Sequence, residues 1–209
     1  MREIELLIIE NLDLDGAAAD VEQHLLDCEE HSMQCRYSWH VDANDDVDFN
    51  DPEIAAEFSR FVREYAVEQV VRARWDLTCL DVNDDGTLTL WRSMVVPADW
   101  LENGINDRPI GIYWAYEKSA AEPHWGSFAK GDREIILEGR VALEDVDWHR
   151  SICMNAQCEE EREIRLKQTA SVLLVSAEWA ECNDFGAVAL GFTAPAGEDA
   201  AASELAIAC

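Results

Sequence analysis

Between Asp51 and Trp75 the apolar residues fall three and four apart. Ile54, Phe58, Phe61, Val62, Tyr65 and Val70 line up as one stripe, and Arg60, Arg63, Glu64, Glu68 and Arg72 fall outside it. That spacing predicts an amphipathic helix. Asp51-Pro52-Glu53 predicts its start, because an Asp side chain caps free backbone N–H groups and Pro suits the first helical position. Upstream, Ala18, Val21, Leu25 and Cys28 repeat the helical spacing over residues 17–30. Residues 1–9 are mostly apolar and fit a strand or the start of a helix. Asn11 to Gly16 is a break. Residues 31–50 have no period and carry the acidic cluster Asp42 to Asp48, so they read as a loop.

After Trp75 the period changes. Leu77 to Val82 is strand-like, Asn83-Asp84-Asp85-Gly86 is a turn, and Thr87 to Arg92 alternates in steps of two. Together they predict a β-hairpin. A short helical stretch is expected from Trp100 to Asn106. A strand is expected at Ile110 to Trp114, then a helical turn from Ala120 to Trp125. Further strands are expected at Glu134–Leu137, Gly139–Leu143, Glu163–Leu166 and Ala170–Val175, with a helical turn at Asp147–Ile152. From Pro195 the chain is Ala-rich and weakly patterned, and reads as a frayed tail. No internal repeat is present.

Composition narrows the class. The chain has 209 residues, 48% of them hydrophobic, enough for one good core with an extension. No apolar run reaches the roughly 18 residues of a membrane-spanning helix. The start, Met1-Arg2-Glu3-Ile4-Glu5, lacks the basic opening of a signal peptide, so a cytoplasmic protein is expected. Seven cysteines at irregular spacing are expected to be free thiols, with Cys79 in the core and Cys209 exposed. Acidic residues number 44 against 16 basic ones, a net charge of −28. Such a charge repels nucleic acid and anionic membranes and suits a basic protein partner, a halophilic setting or, as a minority reading, a DNA-mimicking inhibitor.

Three segments carry candidate chemistry. Leu88-Thr89-Leu90-Trp91-Arg92-Ser93-Met94 is a strand delivering an Arg. Ile110-Gly111-Ile112-Tyr113-Trp114-Ala115 is a second strand, and Glu161-Arg162-Glu163-Ile164-Arg165-Leu166 opens a late strand with Glu-x-Glu. In this order they resemble the Arg/Ser/Glu class of ADP-ribosyltransferases, over roughly residues 77–180. The resemblance implies a split β-sandwich with NAD in the cleft between two sheets. It implies that Arg92, with Ser93 beside it, holds the NAD pyrophosphate, a task suited to a guanidinium. It makes Glu163 the carboxylate that stabilises the oxocarbenium formed on nicotinamide release. Glu161 would orient an arginine acceptor, and Tyr113 and Trp114 would line the nicotinamide site. The family's Ser-Thr-Ser strand is replaced here by Tyr113-Trp114-Ala115, which removes a hydroxyl that positions the ribose.

Other patterns are weaker. Asp81 to Gly86 opens like a calcium loop, but position twelve is Arg92 where a bidentate Glu is needed. Asn11 to Gly16 with Glu22 matches better and lacks a clear preceding helix. Cys28, His31, Cys35 and His40 are zinc-ligand types at compressed spacing. His149 is a possible base by residue type. No Gly-rich phosphate loop is present.

The expected architecture is therefore α+β: a helical region over 1–76, an ADP-ribosyltransferase-like split β-sandwich over 77–194 and a tail over 195–209. The expected activity is NAD-dependent mono-ADP-ribosylation of a protein side chain. The alternative is a catalytically inactive, acidic relative that binds or inhibits a basic protein.

Overall fold

Asp51 caps the longest helix as expected. Its side chain accepts from the N–H groups of Glu53 (2.8 Å) and Ile54 (3.4 Å), and α4 runs Pro52–Thr78 behind it. The computed structural model describes residues 3–41, 47–97, 99–103, 109–121, 132–158, 162–179 and 188–197. The chain divides into two units, Met1–Cys79 with Ile152–Glu159, and Leu80–Ser151 with Glu160–Cys209.

The first unit is helical: α1 (Glu3–Asn11), α2 (Leu14–Cys28), α3 (Glu30–His40) and α4, with α1, α2 and α3 each packing on α4. Ile4, Ile8, Val21, Leu25 and Met33 are buried against the α4 stripe. That stripe holds Phe58, Val62 and Val70 as expected, and is completed by Ala66, Ala73 and Leu77. Ile54, Phe61 and Tyr65 are only half-buried.

Helix α3 stands where a loop was expected. Only Met33 and Tyr37 are buried over its eleven residues, too few to make a visible period. Packing supplies what the pattern lacks. The Tyr37 ring meets Phe58 at 5.7 Å and Phe61 at 5.6 Å, both near edge-to-face, and Phe49 at 6.0 Å. Its hydroxyl donates to Glu57 Oε2 at 3.1 Å.

Burial, and then the Glu57 carboxylate, push the Tyr37 phenol above its ordinary value. A raised folded-state pKa favours folding below the unfolded phenol value, near 10, and that contribution is lost as pH rises through the folded value. Thermal melts from pH 8 to about 11.5 are expected to show an alkaline loss of stability that Tyr37→Phe flattens. Identical slopes in the two proteins would remove Tyr37 as the cause.

The second unit is built on one antiparallel sheet. Its strands are β1 (Thr87–Pro97), β2 (Tyr113–Ala115), β3 (Asp132–Ala142), β4 (Glu163–Arg165), β5 (Ser171–Trp179) and β6 (Val188–Pro195), in the order β4-β2-β1-β3-β5-β6. Short helix α5 (Trp100–Asn103) and 3₁₀ turns at Lys118–Ala121 and Leu143–Asp145 complete this unit's described elements with the start of α6 (Trp148–Gln157), whose residues from Ile152 on belong to the first unit. Alternation gives the sheet an apolar face bearing Leu88, Leu90, Trp114, Leu137, Val141 and Ile164, all buried. The other face is polar. Ser93 donates to Glu134, and Ser176 donates to Glu138 at 2.9 Å. Gly139 lies under the Trp114 ring. A Cβ there would sit 2.4 Å from Val172 Cγ1 and 3.2 Å from Trp114 Cζ3.

Several expectations are corrected. The described strands form a single six-stranded sheet in place of two. The 77–82 strand is absent, because Leu77 continues the buried stripe of α4 to Thr78. The turn itself forms, with the Gly86 N–H donating to Asn83 O at 2.9 Å and Gly86 at φ +78°. However, β1 pairs with β3 and β2, so the hairpin is not made. The two strand segments around residue 138 are one strand, β3. Strand β6 was not foreseen. Pro195 and Ala196, expected to fray, accept from the N–H groups of Ile110 (3.1 Å) and Gly111 (2.8 Å). Residues 198–209, with Cys209, lie outside the described residues. Cys79 is exposed, not core. Among the described residues no helix is long and apolar enough to cross a membrane.

Candidate functional site

Strand β1 delivers Arg92 and Ser93, and its ladder with β3 runs without a shift from Thr87↔Ala142 to Pro97↔Asp132. Trp91 stands opposite Ala115 of β2, and Ala115 stands opposite Glu163 of β4. Directly opposed residues share a face, and successive residues alternate. Trp91, Ala115 and Glu163 therefore form one row on the polar face. Arg92 is one residue out of that row and belongs to the apolar face, with Leu90 and Trp114.

The expected pairing of Arg92 with Glu163 across one cleft is thus not made. The Arg92 guanidinium engages the backbone: Nη1 donates to Tyr113 O at 2.5 Å. It also fills the space beside Gly111, where a Cβ would fall 2.4 Å from Arg92 Cζ. Gly111 sits at φ +83°, so a side chain there would be both strained and in collision. Arg92 braces the 110–113 segment, which is a structural task.

The remaining candidates separate likewise. Ser93 gives its hydroxyl to the buried Glu134 carboxylate. Tyr113 is half-buried opposite Arg165 and shares the Glu163 face. Trp114 is buried on the other face, and its Nε1 donates to Gly111 O at 3.0 Å. Glu163 is half-buried at the edge strand, near the Arg165–Asp147 ion pair at 2.6 Å. Glu161 lies outside the described residues.

Among the described residues, neither the Cys28–His40 cluster nor either calcium-like loop brings three possible ligands together. His31 and Cys35 are one helical turn apart, with Cys35 Sγ and His31 Nε2 at 3.9 Å. The His40 ring packs on Phe61 at 5.2 Å, and Cys28 is exposed at the end of α2. At the 81–86 turn, Asp85 accepts from the Thr87 hydroxyl (2.6 Å) and N–H (3.2 Å) and pairs with Arg140 (3.2 Å). The Thr87 hydroxyl, more than any charge, holds the Asp85 carboxyl below its ordinary value. Glu22, the twelfth position of the other calcium-like loop, lies within α2.

One feature of the helical unit was not singled out from sequence. Trp39 of α3 is 78% exposed and Trp75 of α4 is 69% exposed. Trp75 follows Val67 and Val71 at four-residue steps, and all three point to solvent from α4. The signal available was their absence from the buried stripe. Residues 1–79 carry 20 acids against 6 bases.

No family model, curated protein or solved structure matches the chain.

Proposed function

We propose that the chain is a non-catalytic acidic protein that engages a basic protein partner through its helical unit. The observation that carries this is the exposure of Trp39 and Trp75 on a unit whose residues 1–79 carry 20 acids against 6 bases. Tryptophan supplies much of the binding energy at protein interfaces, and exposed charge steers a partner of opposite sign toward it. An ADP-ribosyltransferase-like sheet that has lost its chemistry is compatible with this role. Three features support the loss. Tyr113-Trp114-Ala115 replaces the hydroxyl-bearing strand, Arg92 serves the backbone at Tyr113, and Arg92 and Glu163 belong to opposite faces.

The test has two arms. Partners cross-linked in the source cell are identified, and the purified candidate is titrated against the chain by calorimetry at rising salt. Affinity is expected to fall with salt, and to drop at least about tenfold with Trp75→Ala, the loss typical of an aromatic anchor. In the second arm, NAD is expected to give no heat of binding. Transfer of labelled ADP-ribose that disappears with Glu163→Ala would overturn the proposal in favour of the enzyme.

A further inference from the structure

We infer that the sheet unit carries a second, unrelated binding site: a recess on the β5–β6 pair that takes a small amphipathic monocarboxylate. Its origin is an irregularity in the ladders. Leu174 pairs with Phe192 and Ser176 with Ala189, which leaves Val175 facing Leu190 and Gly191 without regular partners. The β3–β5 ladder shifts at the same place, between Glu138 and Gly139. A bulge of this kind bends a strand and re-aims its side chains, and bulges concentrate near functional sites. Gly191 sits at φ +73°, with nothing within 4 Å of where a Cβ would project. The result is a recess of about 340 Å³ lined by Leu173, Leu174, Val175, Ala189, Leu190, Gly191 and one cation, Arg140.

Size, lining and charge agree on the ligand. Small-molecule pockets start near 300 Å³, are mostly aliphatic or aromatic, and carry a few polar groups that fix orientation. Among the described lining residues the only charged one is Arg140, in a chain of net charge −28. Its Nε is buried and has no hydrogen-bond partner, while Nη1 is engaged by Asp85 at 3.2 Å. The Arg140 side chain as a whole is 41% exposed, so an acceptor can reach the guanidinium beside its Asp85 contact. A guanidinium takes a carboxylate in a planar fork. A dianionic phosphate would suffer more from Asp85 and from Glu138, which shares the Arg140 face of β3, so a single negative charge is favoured. An aliphatic tail fits against Leu173, which is 41% exposed, and against Leu190 and Val175.

Octanoate is the probe, with octanol as its uncharged counterpart. In methyl NMR titrations of the full chain, octanoate is expected to move the Leu173, Val175 and Leu190 signals saturably, and octanol to bind about tenfold more weakly. Arg140→Gln is expected to erase that difference. Asp85→Asn removes the competing negative charge beside Nη1 and is expected to tighten octanoate severalfold, a gain that general loosening of the fold would not produce. Shifts spread over the surface, equal binding of octanoate and octanol, or an unaltered preference in Arg140→Gln would each overturn the assignment.

Discussion

Trp114→Ala is expected to cost about 3–5 kcal/mol, as for large-to-small changes of a buried aromatic. Trp114 is 1% exposed, lies over Gly139 and donates Nε1–H to Gly111 O at 3.0 Å. Alanine leaves a cavity across β1, β2 and β3 and strands the Gly111 carbonyl. A domain's whole stability is only about 5–15 kcal/mol, so the sheet unit should lose a large share of its margin. Gly139→Val tests the same contact from the other side. The new Cβ would meet Val172 at 2.4 Å and the indole at 3.2 Å, so Val172 must shift and the ring must give way with it. Chemical denaturation followed by near-ultraviolet circular dichroism reads both. A Trp114→Ala protein that unfolds within about 1 kcal/mol of wild type would mean the ring is not part of the core.

Phe58→Ala is expected to cost a similar amount, about 3–5 kcal/mol, in the helical unit. Phe58 is 8% exposed and holds two neighbours edge-to-face, Phe49 at 5.1 Å and Tyr37 at 5.7 Å. Tyr37 is one of only two buried residues of α3. Losing Phe58 should therefore release α3 before α4. Hydrogen exchange is expected to speed up first in Glu30–His40, with α4 protected longer. Equal acceleration along both helices would mean that α3 does not depend on this cluster.

The legible parts of the fold were those whose signal is local. Asp51-Pro52 and the α4 stripe lie within a few residues of one another, and the helix follows them. The strand character of Thr87–Arg92 and Glu163–Leu166 was visible in the same way, as was that of the expected Ile110–Trp114 strand, of which only Tyr113 and Trp114 are in the strand that forms. What failed depended on distant partners. Leu77 reads equally as strand or helix until the α4 stripe claims it, and with it went the hairpin. Helix α3 owes its existence to rings on another helix. The candidate site failed for the same reason. Arg92, Tyr113, Trp114 and Glu163 are all on or at strands, as read. Which face each takes is decided by the register Trp91↔Ala115↔Glu163, and a shift of one residue inverts the answer. No stretch of local sequence contains that register.

The two rims of the sheet differ from its interior in a way that bears on self-association. One rim is β4, three residues long. The other is β6, interrupted by Gly191 in a left-handed conformation and ended by Pro195. A foreign strand needs an uninterrupted run of free backbone groups to add on, and among the described residues neither β4 nor β6 offers one of useful length. Concentrated solutions of the folded chain are accordingly expected to resist fibre formation, and any fibre that does grow must begin from opened molecules.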